Sequence, residues 1–287
     1  MGIFGAFVRL FRIEHALMLC FAVLLAIGIS AGAASVAMPA FSVILAALSV
    51  PLFIEMGSFA LNDYFDVKTD KANKRRDRPV ASGEISPETA LLAAVLCYAA
   101  GVVFALPLPA AAFEVAVVFA AASLLYNWKM KDMPFIGNAY IAASMAVPFV
   151  FGNLVVGVVM QPALLAIAGV AFVAGLGREI IKSAEDMEGD VKHRKSKTLP
   201  AVIGKKNAAL LASSLYFTVV PLAFCPFFYG LPMSTLSLGL VAITALAFAF
   251  LGYSVARDQG KPSLASARKA SLLALGVGLL GYAASLI

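Results

Sequence analysis

Charge is what this sequence has least of. Only 13% of its 287 residues are Asp, Glu, Lys or Arg, against 62% apolar residues, whereas a soluble domain carries about 25% charged and about 45–50% apolar. That scarcity excludes an ordinary soluble enzyme, a disordered chain and a nucleic-acid-binding protein, despite a formal net charge of +6. Cysteine is also sparse. Cys20, Cys97 and Cys225 each sit alone in an apolar run, which excludes a disulfide framework or a zinc cluster and reads as small core residues. His15 and His193 are too far apart to argue a pair and read as interfacial polar residues. No redox motif and no Ser or Cys nucleophile stands out. The opening "MGIFGAFVRLFRIEH" is expected to be a short amphipathic lead rather than a cleaved signal, because the apolar run behind it is long enough to span a membrane. It lacks the Ser or Thr of a myristoylation signal.

What the sequence has in abundance is long apolar runs. A crossing helix needs about 20 mostly apolar residues. Nine runs qualify, at roughly 15–36, 40–61, 88–107, 111–128, 134–153, 162–183, 208–229, 233–255 and 268–286. They leave no room for a soluble domain. The expected fold is an all-α integral membrane protein of nine transmembrane helices in a bundle, one domain over residues 1–287. Threading the chain through these spans puts all 22 Lys and Arg at or near one side: the N-terminus, the loops after spans two, four, six and eight, and the adjoining helix ends. By the positive-inside rule the N-terminus and these loops are cytoplasmic in a multi-pass cell-membrane protein, and the C-terminus is outside. Such a basic face attracts anionic membrane lipid and phosphate-bearing substrates.

The two long basic loops resemble each other. "FDVKTDKANKRRDRPVASG" and "GDVKHRKSKTLPAVIG" share Asp-Val-Lys, at Asp66-Val67-Lys68 and Asp190-Val191-Lys192, then a basic stretch and Pro-x-x-x-Gly. The repeat predicts a four-plus-four helix duplication, with pseudo-repeats at roughly 10–130 and 131–256 and an extra helix at 268–286.

The remaining charge is patterned. Residues four apart share a helix face, so Asn62, Asp66 and Asp70 form one stripe at the end of span two, with Asp63 on its flank. Asp186 and Asp190 form the equivalent stripe at the end of span six. Arg178 and Lys182 continue it toward the membrane, flanked by Glu179 and Glu185. Facing carboxylate stripes suit a hard divalent cation. Magnesium takes oxygen ligands, keeps several waters, and is held by one or two carboxylates plus substrate phosphates. The surrounding Lys and Arg make no sense for a bare metal cage, but they do if the metal arrives with a diphosphate that must depart. Solvated helix ends with local ion pairs are the plainer reading. Ionisable residues near membrane depth are costly and usually functional, however, and this constellation occurs twice.

"NDYFDVKTD" resembles the N-D-x-x-D-x-x-x-D motif of the UbiA superfamily of intramembrane prenyltransferases, and "EDMEGD", preceded by Lys182, resembles that family's second aspartate motif. "RPVASGEIS" and "LYNWKMKDMPFIGNAY" resemble further family segments, and the likeness runs through most of the chain, nine-span count included. "GREIIKSAEDMEGDVKHRKSKTLP" is most similar to the branch that makes archaeal ether lipids. Two positions depart from the pattern. Val67 stands where many members carry a basic residue, and Ser183 stands where many carry Asp.

The resemblance implies two magnesium ions held by Asn62, Asp66, Asp70, Asp186 and Asp190. It implies a prenyl diphosphate gripped by Lys68, Arg75, Arg78, Lys129 and Lys182 through charge-assisted bonds. Asp66, Asp190 and Tyr126 are the expected catalytic residues, Tyr126 lying near the reacting carbon, where its ring face can stabilise an allylic cation. The implied acceptor is lipid-like, a geranylgeranylglyceryl phosphate whose hydroxyl attacks a geranylgeranyl cation in a dry cavity. The released diphosphate or a spare carboxylate takes the proton. Glu55, seven residues before Asn62, is expected to face the same cavity, and Trp128 reads as an interfacial belt anchor. No obligate protein partner is evident. The competing readings are an aromatic acceptor of the quinone or haem O type, and a secondary transporter. A transporter would place its ionisable residues and broken helices near the midplane, whereas these charges gather at helix ends.

Overall fold

A computed structural model of the chain describes residues 2–72, 75–189 and 198–287. Among the described residues it is helical without strands, and nine helices are long and apolar enough to cross a membrane. The element order is α1 (Ile3–Phe11), α2 (Ile13–Ala34), α3 (Phe41–Ala72), α4 (Pro79–Ser82), α5 (Pro87–Ala105), α6 (Ala110–Trp128) and α7 (Ile136–Val156). There follow α8 (Pro162–Gly189), α9 (Leu199–Ile203), α10 (Lys205–Leu222), α11 (Cys225–Phe228), α12 (Thr235–Arg257) and α13 (Lys261–Ala283). The crossing helices fall on the nine expected runs. Their ends differ where polar residues continue a helix beyond the apolar stretch. α3 runs on to Ala72, so the Asn62-Asp66-Asp70 stripe is the last turns of one unbroken helix, and α13 begins at Lys261 instead of near 268. Pro51 and Pro148 are both accommodated inside helices, as membrane helices permit when neighbours satisfy the freed carbonyls.

α3 packs along α5, α2 along α7, α7 along α8, and α8 along α10 and α13, while α10 and α13 both flank α12. Small residues let these backbones approach, the usual driving force when lipid is as apolar as the helices. Buried polar groups then tie helix to helix. Ser30 Oγ donates to Asn153 Oδ1 at 2.8 Å (α2–α7), Ser213 Oγ to the Gly252 carbonyl at 2.7 Å (α10–α12), and the Tyr282 hydroxyl to the Ala223 carbonyl at 2.8 Å.

Gly152 marks a close approach of α7 to α2. A Cβ there would sit 2.6 Å from Ala26 Cβ and 2.7 Å from the Val23 carbonyl oxygen. Gly152→Ala is therefore expected to cost about 1–3 kcal/mol, the usual range for overpacking, and to lower the thermal unfolding temperature in detergent. Gly169→Ala is the control, because open space surrounds that position, and it should be neutral or slightly stabilising.

Candidate active site

Helix ends from both halves of the chain enclose an outer chamber of about 430 Å³. α3 contributes Asn62, Asp66, Thr69 and Asp70, and α8 contributes Lys182, Ser183 and Asp186. Tyr126 enters from α6, Lys131 from the short 3-10 turn Met130–Asp132 that follows it, and Arg75 and Arg78 from the segment after α3. Asn62, Tyr126, Lys182 and Asp186 are shared with an inner chamber of about 690 Å³, which adds Arg12, His15, Phe59, Arg178 and Arg268. The inner chamber meets an apolar pocket at Leu19, Glu55, Tyr140 and Ser144. Beyond those residues the pocket walls are almost wholly hydrocarbon, including Val23, Val50, Ala116, Phe119 and Phe151. Polarity thus falls steadily from the carboxylate end inward.

The α3 stripe follows from the sequence spacing. Asp66 and Asp70 are buried on one helix face, and Asn62 Nδ2 donates to Asp66 Oδ2 at 3.0 Å. The other Asp66 oxygen accepts from Lys131 Nζ at 2.6 Å. Asp63, one residue round the helix and 1% exposed, accepts from Arg12 at 2.8 Å and Arg78 at 2.5 Å. On α8, Glu179 pairs with Arg178 at 2.6 Å and Lys182 at 3.4 Å. Asn138 of α7 donates to the Glu179 carbonyl and to Ser183 Oγ, giving the divergent serine a structural contact. Outside the membrane-spanning segments, hydrogen bonds from Arg75 hold the Asp77 carboxyl below its usual range. Ser82 and then Arg9 do the same for Glu84.

Of the residues expected from sequence, Asn62, Asp66, Asp70, Arg75, Arg78, Tyr126, Lys182 and Asp186 line the outer chamber together. Asp190 lies outside the described residues, as does His193. Lys68 is exposed on α3, Lys129 is exposed at the end of α6, and neither lines the cavity. The reason at Lys129 is local: α6 ends at Trp128, and the turn behind it swings Lys131 inward instead. Trp128 is 66% exposed at that helix end. His15 is a cavity residue, edge-on to Phe59 at 5.5 Å between centroids. Sequence reasoning missed Lys131, Arg12 and the pairing of Asp63. The only signal for Lys131 was a second lysine two residues beyond Lys129.

Magnesium fits this donor set. Amide and carboxylate oxygens from α3 and α8 border one chamber, and a lysine ammonium already sits against Asp66. Among the described residues no group of three or more Asp, Glu, His or Cys side chains could hold an ion unaided.

A charged chamber that opens inward onto a hydrocarbon pocket suits a molecule with an anionic head and a long apolar tail. Residues 13–282 match the UbiA prenyltransferase family, and the chain belongs to that family as a membrane prenyltransferase. It is 34% identical over 279 residues to the digeranylgeranylglyceryl phosphate synthase of Archaeoglobus fulgidus, covering 95% of this chain and 92% of that one. The synthase of the same name from Methanopyrus kandleri is 34% identical over 234 residues, or 80% of this chain and 83% of that one. A solved structure concerned with the biosynthesis of digeranylgeranylglyceryl phosphate synthase in membranes superposes with a TM-score of 0.78 at 25% identity, over 100% of this chain and 99% of that one. A UbiA homolog from Archaeoglobus fulgidus bound to GPP and Mg2+ shares the fold, with a TM-score of 0.69 at 21% identity over 97% of this chain and 99% of that one.

Proposed function

We propose that this prenyltransferase moves a geranylgeranyl group from geranylgeranyl diphosphate to the free hydroxyl of geranylgeranylglyceryl phosphate, making a doubly prenylated ether lipid. The observation that carries the reading is the unbroken run from carboxylates and cations, past Tyr126, into an apolar pocket. The similarity to synthases of that name supports the acceptor. In this reading the N-terminus and the site face the cytoplasm, in keeping with the one-sided distribution of Lys and Arg.

Asn62, Asp66, Asp70 and Asp186, with Asp190, would hold two magnesium ions, which when bound neutralise diphosphate charge and ease its departure. Lys131, Lys182, Arg75 and Arg78 line the same chamber and would grip the remaining phosphate oxygens. The allylic C–O bond breaks and both its electrons leave with the diphosphate. Tyr126 and Tyr140 stack at 4.8 Å, and Tyr126 lies where the outer chamber passes into the inner. Its ring face stabilises the allylic cation there, and the surrounding hydrocarbon excludes water that would quench it. The acceptor oxygen then bonds to the terminal carbon and gives up its proton. Glu55 stands at the junction of the inner chamber and the apolar pocket and is the carboxylate placed to take it.

Incubation of the purified protein with geranylgeranyl diphosphate, Mg2+ and a panel of acceptors tests the assignment by product mass. A doubly prenylated glycerol phosphate is expected. Prenylated 4-hydroxybenzoate or naphthoate in its place would overturn the acceptor, and magnesium-dependent vesicle uptake without chemical change would overturn the enzyme reading. Glu55→Gln is expected to lower kcat by about tenfold, less than general-base catalysis usually contributes, because a carbocation is already a strong electrophile. Steady-state rates at saturating acceptor check this, and an unchanged kcat would remove Glu55 from the proton path.

A further inference from the structure

Two buried carboxylates in this protein each carry two cations. Asp63, 1% exposed, holds Arg12 and Arg78 on the same oxygen. Glu179, 4% exposed, holds Arg178 on one oxygen and Lys182 on the other. A buried carboxylate needs one counter-charge to offset its desolvation. With two, the Glu179 cluster keeps a net positive charge, while in the Asp63 cluster Arg78 also faces Asp77 at 3.9 Å, a carboxylate that Arg75 holds at 2.9 Å. All four cations line the inner chamber, one pair reaching it from the α1–α3 side and the other from α8.

These clusters differ from the cations around the metal-binding carboxylates. Arg78 and Lys182 reach both chambers, but Arg12 and Arg178 line only the inner one. His15, edge-on to Phe59, lines the same inner chamber. Arg12 is held there at some cost. It is a non-glycine residue in the left-handed region, φ 43 and ψ 55, at the break between α1 and α2. Such conformations persist when the surroundings over-determine them. Here the Asp63 bond and the Phe59 ring, 4.2 Å from the guanidinium carbon, fix the side chain. Arg178 Nε is buried and has no hydrogen-bond partner among the described residues, which leaves a donor for a ligand.

We infer that Arg12 and Arg178, positioned by Asp63 and Glu179, form a second anion site that receives a phosphomonoester head, the phosphate of the acceptor lipid. The inference rests on the proposed function for its ligand. A phosphomonoester carries about −1.5 to −2 charge at neutral pH, opposite in sign to the two guanidinium groups that line only the inner chamber. Planar guanidinium groups grip such oxygens in pairs. The donor diphosphate would occupy the outer chamber, so two polyanions are kept apart within one cavity. The acceptor hydroxyl, a few bonds from its phosphate, would then lie beside Tyr126 and Glu55.

The test is equilibrium binding of geranylgeranylglyceryl phosphate, and of the same lipid lacking phosphate, to the full-length protein in nanodiscs, without prenyl diphosphate. The wild type is expected to prefer the phosphate lipid. Arg178→Gln and Arg12→Gln should each weaken that binding by about 30-fold, near the loss expected for one charge-assisted contact. Both should leave the phosphate-free lipid and the KM for geranylgeranyl diphosphate within about twofold. Arg178→Lys, which keeps charge and bulk, should recover part of the loss and guards against misfolding. Equal binding of both lipids, or equal loss of both in the variants, would overturn the site. Tight, arginine-dependent binding without any doubly prenylated product would leave the anion site standing and remove the proposed reaction. Product formation with arginine-independent binding would do the reverse.

Discussion

Asp66→Ala is expected to lower kcat/KM for prenyl transfer by about a thousandfold, the scale seen when a group stabilising transition-state charge is removed. Asp66 is central to the α3 stripe, with Asn62 on one oxygen and Lys131 on the other. In the proposed function Asp66 supplies a metal-binding oxygen, and its loss also takes a carboxylate away from a lysine side chain that is 8% exposed. Breaking a buried ion pair from one side costs about 3–5 kcal/mol, so the single variant mixes lost chemistry with lost stability. The double variant Asp66→Ala/Lys131→Met separates them. It removes the buried ammonium together with its carboxylate, and its thermal unfolding temperature in detergent should return toward that of the wild type while activity stays low. The magnesium concentration giving half-maximal rate should rise in both variants. Near-full activity of the double variant with an unchanged magnesium requirement would mean that Asp66 holds no catalytic metal.

The membrane architecture was legible because lipid imposes a length on every crossing helix, and apolar runs report that length directly. Helix ends were less legible. Hydrophobicity fades near Asn62, but the helix continues to Ala72, since backbone hydrogen bonding does not depend on the side chains being apolar. That continuation is what turns a four-residue spacing into a real stripe. Long-range partners were the least legible. Nothing local to Asp63 announces that Arg12, 51 residues earlier, closes on it. That contact depends on a left-handed residue between α1 and α2, and left-handed backbone is hard to foresee at an arginine. Lys131 replaced Lys129 for a similar reason, because a single 3-10 turn decides which of two nearby lysines points inward. Composition could gather the charge at helix ends, but it could not say which cation meets which acid.

The apolar pocket offers a different kind of control. Ala116 of α6, 3% exposed, packs in one cluster with Val23, Val50 and Phe151, and all four line that pocket. A prenyl tail outside the protein lies in lipid that is as apolar as the pocket wall, so burial itself gives little preference for one chain length. Selection must come from shape. Ala116→Phe puts a ring into the space that the end of a twenty-carbon tail would use. Forcing that tail past it should cost about 1–3 kcal/mol, as overpacking does elsewhere. The expected result is a fall in kcat/KM of up to about a hundredfold for geranylgeranyl diphosphate. The ten-carbon geranyl diphosphate, which ends short of the obstruction, should change by less than about threefold. Comparing the two donors in one preparation cancels any general loss of folded protein, because misfolding lowers both rates together. Equal losses for the two donors would show that the tail runs elsewhere, and that this pocket between α2, α3, α6 and α7 is only a packing defect. A selective loss would tie chain length to a single α6 position.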